Sequence, residues 1–519
     1  MTLYRKLLLI CLGSLALRLV LLPFVEHPGV GDPNHYYNLG ARLSEGQGFN
    51  IDYVWQYNDP PNDLIHPEDY WMPLTSIFVA ASMSLFGVSV HAAVLPFILM
   101  GVLIPLVAYA AARQFECSEE TALFAAAAAG VLPEFVLNSM RTETTIPNVL
   151  LVCVSILLLT YGLKQGGWRI FALSGLLAGL AYLVRSDSSL LLPMLIVTLL
   201  VYRVWARKSV TTTGNWRYAI LMPLVAFVVV APWTMRNLNL NGTVTTPKID
   251  QMFYLTDFRE HFVYDEEISL RTLLERQTLG QLLGKRLFEM AASVKIMYTT
   301  LDVFLPIAVA GGLLLVIRGR SRDRLLTLAP TLILLGGVFV FYTILVPFKS
   351  QAGSLKKAYL TLIPLLLPLA SYALEQAIPD RRIRFGTMIL VVGIMGANAF
   401  ELVRIDNRNV QTYRDTMDKV VETVHTLPDT NGDNEIILMT QDPFMLRFYG
   451  IRSVMTPMDD RESILEVAER YGVDYVLMPP ARPALDDIAL GTEIDPRIEY
   501  VIDVPGTTAS FFRFVFEAD

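Results

Sequence analysis

The stretch Met72–Phe86, MPLTSIFVAASMSLF, decides how the chain threads. It is apolar enough to be taken for a membrane span. The basic residues argue otherwise. Arg113, Lys164 with Arg169, Arg203 with Arg207 and Lys208, Arg318 through Arg324, and Arg381 through Arg384 fall in alternate loops. They share those loops with Arg5 and Lys6 only if Met72–Phe86 stays on one side. Lys and Arg concentrate in cytoplasmic loops, so this arrangement puts the N-terminus inside. If the stretch crossed, every later cluster would face outward. It therefore reads as a helix lying at the outer interface, with Tyr70 and Trp71 at the depth that aromatic side chains favour.

The rest of the chain agrees with a membrane setting. Of 519 residues, 53% are hydrophobic and 18% charged, and the mean hydropathy is +0.45. So little charge in a chain this long indicates a polytopic α-helical membrane protein. Apolar runs predict eleven spans, near 7–25, 91–112, 121–139, 147–163, 170–184, 189–205, 218–234, 298–317, 326–346, 357–375 and 385–403. No small-residue cleavage site follows the first run, which reads as a retained signal anchor. Three cysteines make no disulfide framework, and the net charge of -7 argues against nucleic acid as a partner.

An odd number of spans places the C-terminus outside. The expected outer parts are two long loops, about 26–91 and 237–295, and a small α/β domain. The composition changes near residue 405. NEIILM (434–439) and VDYVLM (473–478) read as buried strands, and SILEVAERYG (463–472) as a helix stopped by Gly. The domains are thus 1–404, a transmembrane module, and 405–519, an extracytoplasmic domain.

Several cations break the orientation rule. Arg141, Arg185, Arg236, Lys349, Lys356 and Lys357 sit at the outer ends of predicted spans. An unpaired charge beside apolar helix costs a few kcal/mol or more unless it snorkels. Each could pair locally, as Arg141 with Glu143 or Arg185 with Asp187. Together they indicate a cationic pocket at the outer membrane face, suited to a lipid phosphate or diphosphate. Lys349, in a loop, is the least constrained of them.

Asp32 lies just beyond the first span, in VGDPNHYYNLGARLSEGQG (30–48). Asp-Pro before a helical stretch is a good N-cap, with Pro at the first helical position. Tyr36, Leu39 and Leu43 share a face, and Gly46 ends the helix. Asp32 either caps a surface helix or serves as a base beside the cationic pocket. A sugar phosphate already carries its leaving group, so one carboxylate with cations suffices for group transfer.

The segment GDPNHYYNLGARLSEGQGF after a first span resembles the start of the GT-C superfamily of membrane glycosyltransferases. The branch it is most similar to contains protein O-mannosyltransferases and lipid A aminoarabinose transferases. HPEDYWMPLTSIFVAASMSLFG resembles the later part of their first outer loop. APWTMRNLNLNG is similar to a Pro-Trp-x-x-Arg-Asn segment, KKAYLTLIPLLLPLAS to a late basic-Tyr-Leu span, and DPFMLRFYGIRSVMTP with YGVDYVLM to C-terminal segments. The resemblance implies Asp32 as general base and Glu143 as a second acidic site. It implies Arg185, Arg236, and Lys356 or Lys357 at the donor phosphate. Where mannosyltransferases carry Asp-Glu, this chain has Asp32-Pro33. Glu68 stands where some members have a metal-binding acid, with His261 as a partner for a possible divalent metal. His35 and His66 read as loop histidines.

The expected function is transfer of a sugar from a polyprenyl-phosphate donor to an acceptor hydroxyl at the extracytoplasmic face, with inversion. Tyr36, Tyr37, Tyr70 and Trp71 would line the donor and acceptor pocket. The acceptor is a lipid, glycan or protein. The location is the plasma (inner) membrane, with the lipid bilayer as the other partner. A secondary transporter and a non-catalytic lipid-carrier-binding subunit are the alternatives. Charges gathered at one face and long outer loops favour the enzyme over the transporter.

Overall fold

The computed structural model describes residues 2–205, 215–264, 268–301, 304–349, 353–428, 435–479 and 481–516. Arg207 and Lys208 of the expected cytoplasmic cluster lie outside the described residues. The chain opens with α1 (Leu3–Leu21), the short helix α2 (Asp32–Ser44), an antiparallel ribbon of β1 (Asn50–Ile51) and β2 (His66–Pro67), and α3 (Leu74–Phe86). There follow α4 (Val90–Gln114), α5 (Glu119–Val131), α6 (Pro133–Ser139), α7 (Thr145–Gln165), α8 (Trp168–Val184), α9 (Leu191–Trp205) and α10 (Leu221–Asn241). After a long connection come α11 (Leu270–Arg276), α12 (Leu279–Thr300), α13 (Phe304–Arg318), α14 (Arg322–Val340), α15 (Ser354–Leu360), α16 (Ile363–Ala377) and α17 (Arg381–Val424).

Among the described residues, seven helices are long and apolar enough to cross a membrane, or ten if each of three bent pairs is one span. The eleventh predicted span is α8, whose 17 residues are apolar but shorter. The 13-residue α3 rises about 20 Å, too little for a hydrocarbon core of about 30 Å. It packs against α2 and α4 instead. Gly40 of α2 makes that contact possible, since a Cβ there would collide with Val79.

Two predicted spans are broken. The stretch 121–139 bends by 46° between α5 and α6, and the stretch 357–375 bends by 58° between α15 and α16. Pro133 and Pro364 stand in the first turns after the breaks. Proline lacks the amide a continuing helix needs and pushes the preceding residue out of the α region. Leu132 accordingly has φ -55° and ψ 123°. The predicted span 298–317 also divides, because α12 reaches Thr300 and α13 starts at Phe304. Most of α12 therefore occupies what the sequence read as outer loop.

The C-terminal sheet is built from β3 (Leu438–Thr440), β4 (Ser453–Met455), β5 (Tyr475–Met478), β6 (Ile498–Asp503) and β7 (Ser510–Phe514) in the order β4-β3-β5-β7-β6. The strands β4 and β5 run parallel to β3, and β7 runs antiparallel to β5 and β6. Helices α18 (Pro443–Phe448), α19 (Arg461–Arg470) and α20 (Pro483–Ala489) connect them. Helix α17 runs unbroken for 44 residues through position 405, so the composition change falls within a helix.

The connection between α2 and α3 joins this sheet. Val54 pairs in parallel with Val454, donating to Ser453 O at 3.1 Å and accepting from Met455 N at 2.7 Å. Val54 and Tyr57 lie in the same apolar core as Val454, Ile464, Val476 and Phe512. Asp52, 2% exposed, receives Arg42 Nη1 of α2 at 2.6 Å and Arg447 Nε of α18 at 2.7 Å. The helix that carries Asp32 is thus clamped to the C-terminal sheet.

Candidate active site

Asp32 does not cap its helix. Gly31, at φ 73°, is the N-cap residue, and Asp32 is the first acidic residue inside the first turn. The tight entry needs glycine twice over. Gly29, at φ 122°, would carry a Cβ 2.7 Å from that of Pro33. The Asp32 carboxylate is therefore free to act elsewhere. Its Oδ2 accepts from Lys357 Nζ at 2.9 Å, and Lys357 Nζ lies 2.9 Å from Glu143 Oε2 as well. One ammonium bridges two carboxylates. Asp32 remains 41% exposed on its side chain and Glu143 only 4%.

The two broken helices bring these groups together. Thr142 precedes Glu143 in the connection between α6 and α7. Its amide donates to Pro28 O at 3.1 Å and its hydroxyl to Pro33 O at 2.5 Å. Thr142 thereby fastens the Glu143 loop to both sides of Asp32. Glu143 Oε1 accepts from the Thr144 amide at 2.7 Å and hydroxyl at 2.8 Å, leaving Oε2 for Lys357. On the lysine side, Asn148 of α7 donates to Thr361 at the α15–α16 break at 3.1 Å. Ser188 donates to Asn148 at 2.9 Å, which ties the turn after Arg185 to the same point. Deeper, Arg18 of α1 is fully buried and donates to Gly130 O and Ser139 Oγ across the α5–α6 break at 3.0 and 3.1 Å. A cation inside a span is a signal legible in sequence, and Arg18 is one that the orientation argument passed over.

Arg185 pairs with Asp187, as one local reading of the sequence allowed, through Nη2 at 2.6 Å and Nε at 3.1 Å. It also donates to Thr144 Oγ1 at 3.3 Å, and Tyr342 donates to Asp187 at 2.7 Å. Tyr342 lies in a π-turn, Phe341–Leu345, at the end of α14, and such turns often occur at functional sites. Lys349, two turns on, donates to Tyr70 Oη at 3.3 Å. It feels the charges of Asp32, Arg185 and Asp187. The cation that sequence constrained least is thus a member of the site.

The electrostatics follow from this geometry. Burial opposes ionisation of Asp32, but the Lys357 ammonium and Arg185 outweigh it and hold the carboxyl below the usual range. Its place in the first turn of α2 adds the helix dipole. Burial pulls Lys349 down to about 8, against Asp32 and Asp187. Tyr36 is 3% exposed, and burial with the charges of Asp32 and Glu143 raises its phenol. Asp32 and Arg185 thus act on Tyr36, and Asp32 and Lys349 on Tyr70.

Residues 66–235 match the family model described as dolichyl-phosphate-mannose-protein mannosyltransferase. No curated protein matches the chain in sequence. The structure is similar to the crystal structure of ArnT from Cupriavidus metallidurans bound to undecaprenyl phosphate, with TM-score 0.61 at 15% identity over 98% of each chain. The chain has the GT-C membrane glycosyltransferase fold. It is also similar to the Archaeoglobus fulgidus oligosaccharyltransferase in complex with Zn and sulfate, with TM-score 0.58 at 14% identity over 98% of this chain and 72% of that one. The superfamily resemblance seen in the sequence is borne out at the level of fold.

Within this GT-C fold the other expected site residues disperse. Lys356 pairs with Glu134 at 2.6 Å. Arg236 stacks over Trp233 and Phe49 at 4.5 and 5.1 Å from the ring centres and donates weakly to Phe49 O at 3.4 Å. Tyr37 packs edge-on against Phe448 at 5.2 Å. Trp71 stacks on His35 at 3.9 Å. That histidine is no loop residue: it is fully buried on α2 and hydrogen-bonds Tyr53 Oη at 2.7 Å. His66, in β2, is half-buried against Leu64 O at 3.1 Å. Successive α2 residues point to different faces, which is why Tyr36 and Tyr37 part company.

Glu68 and His261 have different hydrogen-bond partners. Glu68 Oε1 accepts from the amides of Tyr70 and Trp71, both at 2.7 Å, and its Oε2 lies 3.6 Å from His35 Nε2. Asn58 Nδ2 lies 2.9 Å from His261 Nδ1. No group of three or more His, Cys, Asp or Glu among the described residues is placed to hold a metal. Burial raises Glu68 to about 8, against the Trp71 and Tyr70 amides, which favour its charged form.

Proposed function

We propose that the chain is a glycosyltransferase that takes a sugar from a polyprenyl-phosphate donor and transfers it to an acceptor hydroxyl at the extracytoplasmic face. The observation that carries this reading is Lys357 bridging Asp32 and Glu143 at 2.9 Å to each, with Arg185 and Lys349 close by. Asp32 accepts the proton of the acceptor hydroxyl. The acceptor oxygen forms a bond to the anomeric carbon as the bond from that carbon to the phosphate oxygen breaks. The electron pair leaves with the polyprenyl phosphate, whose charge Lys357, Lys349 and Arg185 neutralise. One displacement inverts the anomeric carbon. The phosphate is itself the leaving group, so no second carboxylic acid is needed, and no step runs through a metal.

The mannosyltransferase family model over residues 66–235 and the likeness to an ArnT bound to undecaprenyl phosphate support this reading. Tyr36 and Tyr70, which feel the Asp32 charge, would offer the sugar an aromatic surface. The clamped C-terminal sheet holds α2, and so Asp32, against the lysine. The test is transfer from radiolabelled undecaprenyl-phosphate sugars in nanodiscs. Full activity in Asp32→Asn would overturn the base assignment, and sugar-dependent flux without transfer would favour a transporter.

A further inference from the structure

Helix α12 turns a row of apolar side chains outward. Leu279, Leu283, Leu287 and Phe288 are 71%, 63%, 67% and 63% exposed, and Val294 is 58% exposed. These positions recur every three or four residues, so they form one stripe along the helix. The opposite face is covered and mixed: Leu282 is 9% exposed, Glu289 5% and Ser293 fully buried, and Ile296 and Met297 pack against the apolar core. Left in water, each exposed Leu or Phe forgoes roughly 1.5–3 kcal/mol of burial. Its apolar stripe needs an apolar solvent.

The geometry says which one. The axes of α12 and α13 meet at 106°. With α13 standing along the membrane normal, α12 lies close to the membrane plane. In α13, Phe304 and Ile307 are likewise exposed, at 54% and 62%. Lys285 and Arg286 flank it, half-buried on the covered side, as basic residues flank helices that lie on anionic lipid. On that covered side α12 packs against the turns 341–345 and 347–349 and against α15, the segments that carry Tyr342, Lys349 and Lys357.

We propose that α12 lies flat in the bilayer interface on the Asp32 side, its Leu/Phe stripe among the acyl chains, and forms one wall of the cation site. The wall rests on the glycosyltransferase reading of that site; the placement of α12 does not. The experiment places an environment-sensitive fluorophore on Leu283→Cys or Leu287→Cys of the full chain, in a background where Cys11 is replaced. Both positions are exposed, so the substitutions leave packing intact. A third label on Ile494→Cys, a position 91% exposed in the C-terminal unit, is the control. The host is a nanodisc of phosphatidylcholine and phosphatidylglycerol.

Loss of most of the fluorescence with shallow doxyl lipid, and little with aqueous iodide, is the expected result at 283 and 287. The control should show the reverse. Quenching by iodide at 283 and 287 overturns the proposal. Protection from both quenchers also overturns it, since the stripe is then covered by protein, such as a second copy of the chain. Neither readout depends on sugar transfer, so this proposal and the enzymatic one fail separately.

Discussion

Lys357 and Asp32 stand 325 positions apart in the chain and touch at 2.9 Å. The contact joins the first turn after one span to a helix interrupted before another. It sets the ionisation of the acid and places a cation where a departing phosphate would need it. Glu143 holds the same ammonium from the other side, so the lysine stays in place when Asp32 changes.

Asp32→Asn removes the proposed base and keeps the scaffold. Because Glu143 still pairs with Lys357, the thermal midpoint should stay near that of the parent. Turnover should fall by about 10²–10⁴-fold, the usual worth of a positioned general base. Single-turnover transfer with saturating donor checks this, alongside a thermal melt.

Lys357→Met should move the acid limb of the pH–rate profile. With the ammonium present, Asp32 titrates below its ordinary value and stays ionised to lower pH. Without it the carboxyl titrates higher, so activity is lost earlier as pH falls. The same change strands Glu143, 4% exposed, without its cation. That should cost roughly 2–4 kcal/mol. Adding Glu143→Gln to Lys357→Met should recover much of the stability and none of the activity.

Lys349 supplies a basic limb. Its ammonium titrates near 8, so charge is present below that pH and lost above it. The donor KM should therefore rise as pH passes about 8. Lys349→Arg keeps the charge at all accessible pH values and should flatten the rise. An unchanged profile in Lys349→Arg would assign the basic limb to another group.

Asp52→Asn should loosen the clamp between α2 and the C-terminal sheet. The carboxylate is 2% exposed and serves Arg42, Arg447 and, at 3.9 Å, Arg452. Removing its charge leaves like charges facing one another and should cost roughly 2–4 kcal/mol. Limited proteolysis should then cut the connection between α2 and α3, within residues 56–64, sooner than in the parent.

Glu68→Gln should stabilise the protein at neutral pH. The folded carboxyl titrates near 8, against an ordinary value of about 4.3. The folded state thus binds the proton more tightly, and stability is lost as pH rises through that window. A neutral amide avoids the loss and still accepts from Tyr70 and Trp71 through its oxygen. A thermal midpoint that rises between pH 6 and 8, by roughly 1–2 kcal/mol in stability, is the expected outcome.

Much of the architecture follows from local chemistry. Hydropathy located the helices, because a bilayer demands long apolar runs with internally paired backbone. The two breaks were equally local, since Pro133 and Pro364 are visible in GVLPEF and LTLIPLL. Reading straight through them cost the bends that deliver Glu143 and Lys357 to one point. The amphipathic pattern of α12 was also present, but length and charge disguised it as loop.

The sequence alone determined that this chain is a membrane bundle, that cations gather at the ends of particular spans, and that Asp32 opens a helix beside them. Those are properties of neighbours in the chain, set by solvent preference and helix periodicity. Tertiary structure decided which cations share a site. Lys357 joined Asp32 while Lys356, one residue away, turned to Glu134. Lys349 came in and Arg236 went to Trp233 and Phe49. Ion pairing falls off over a few ångströms, and those distances are fixed by helix breaks, rotamers and threonine ties that no single stretch of chain contains.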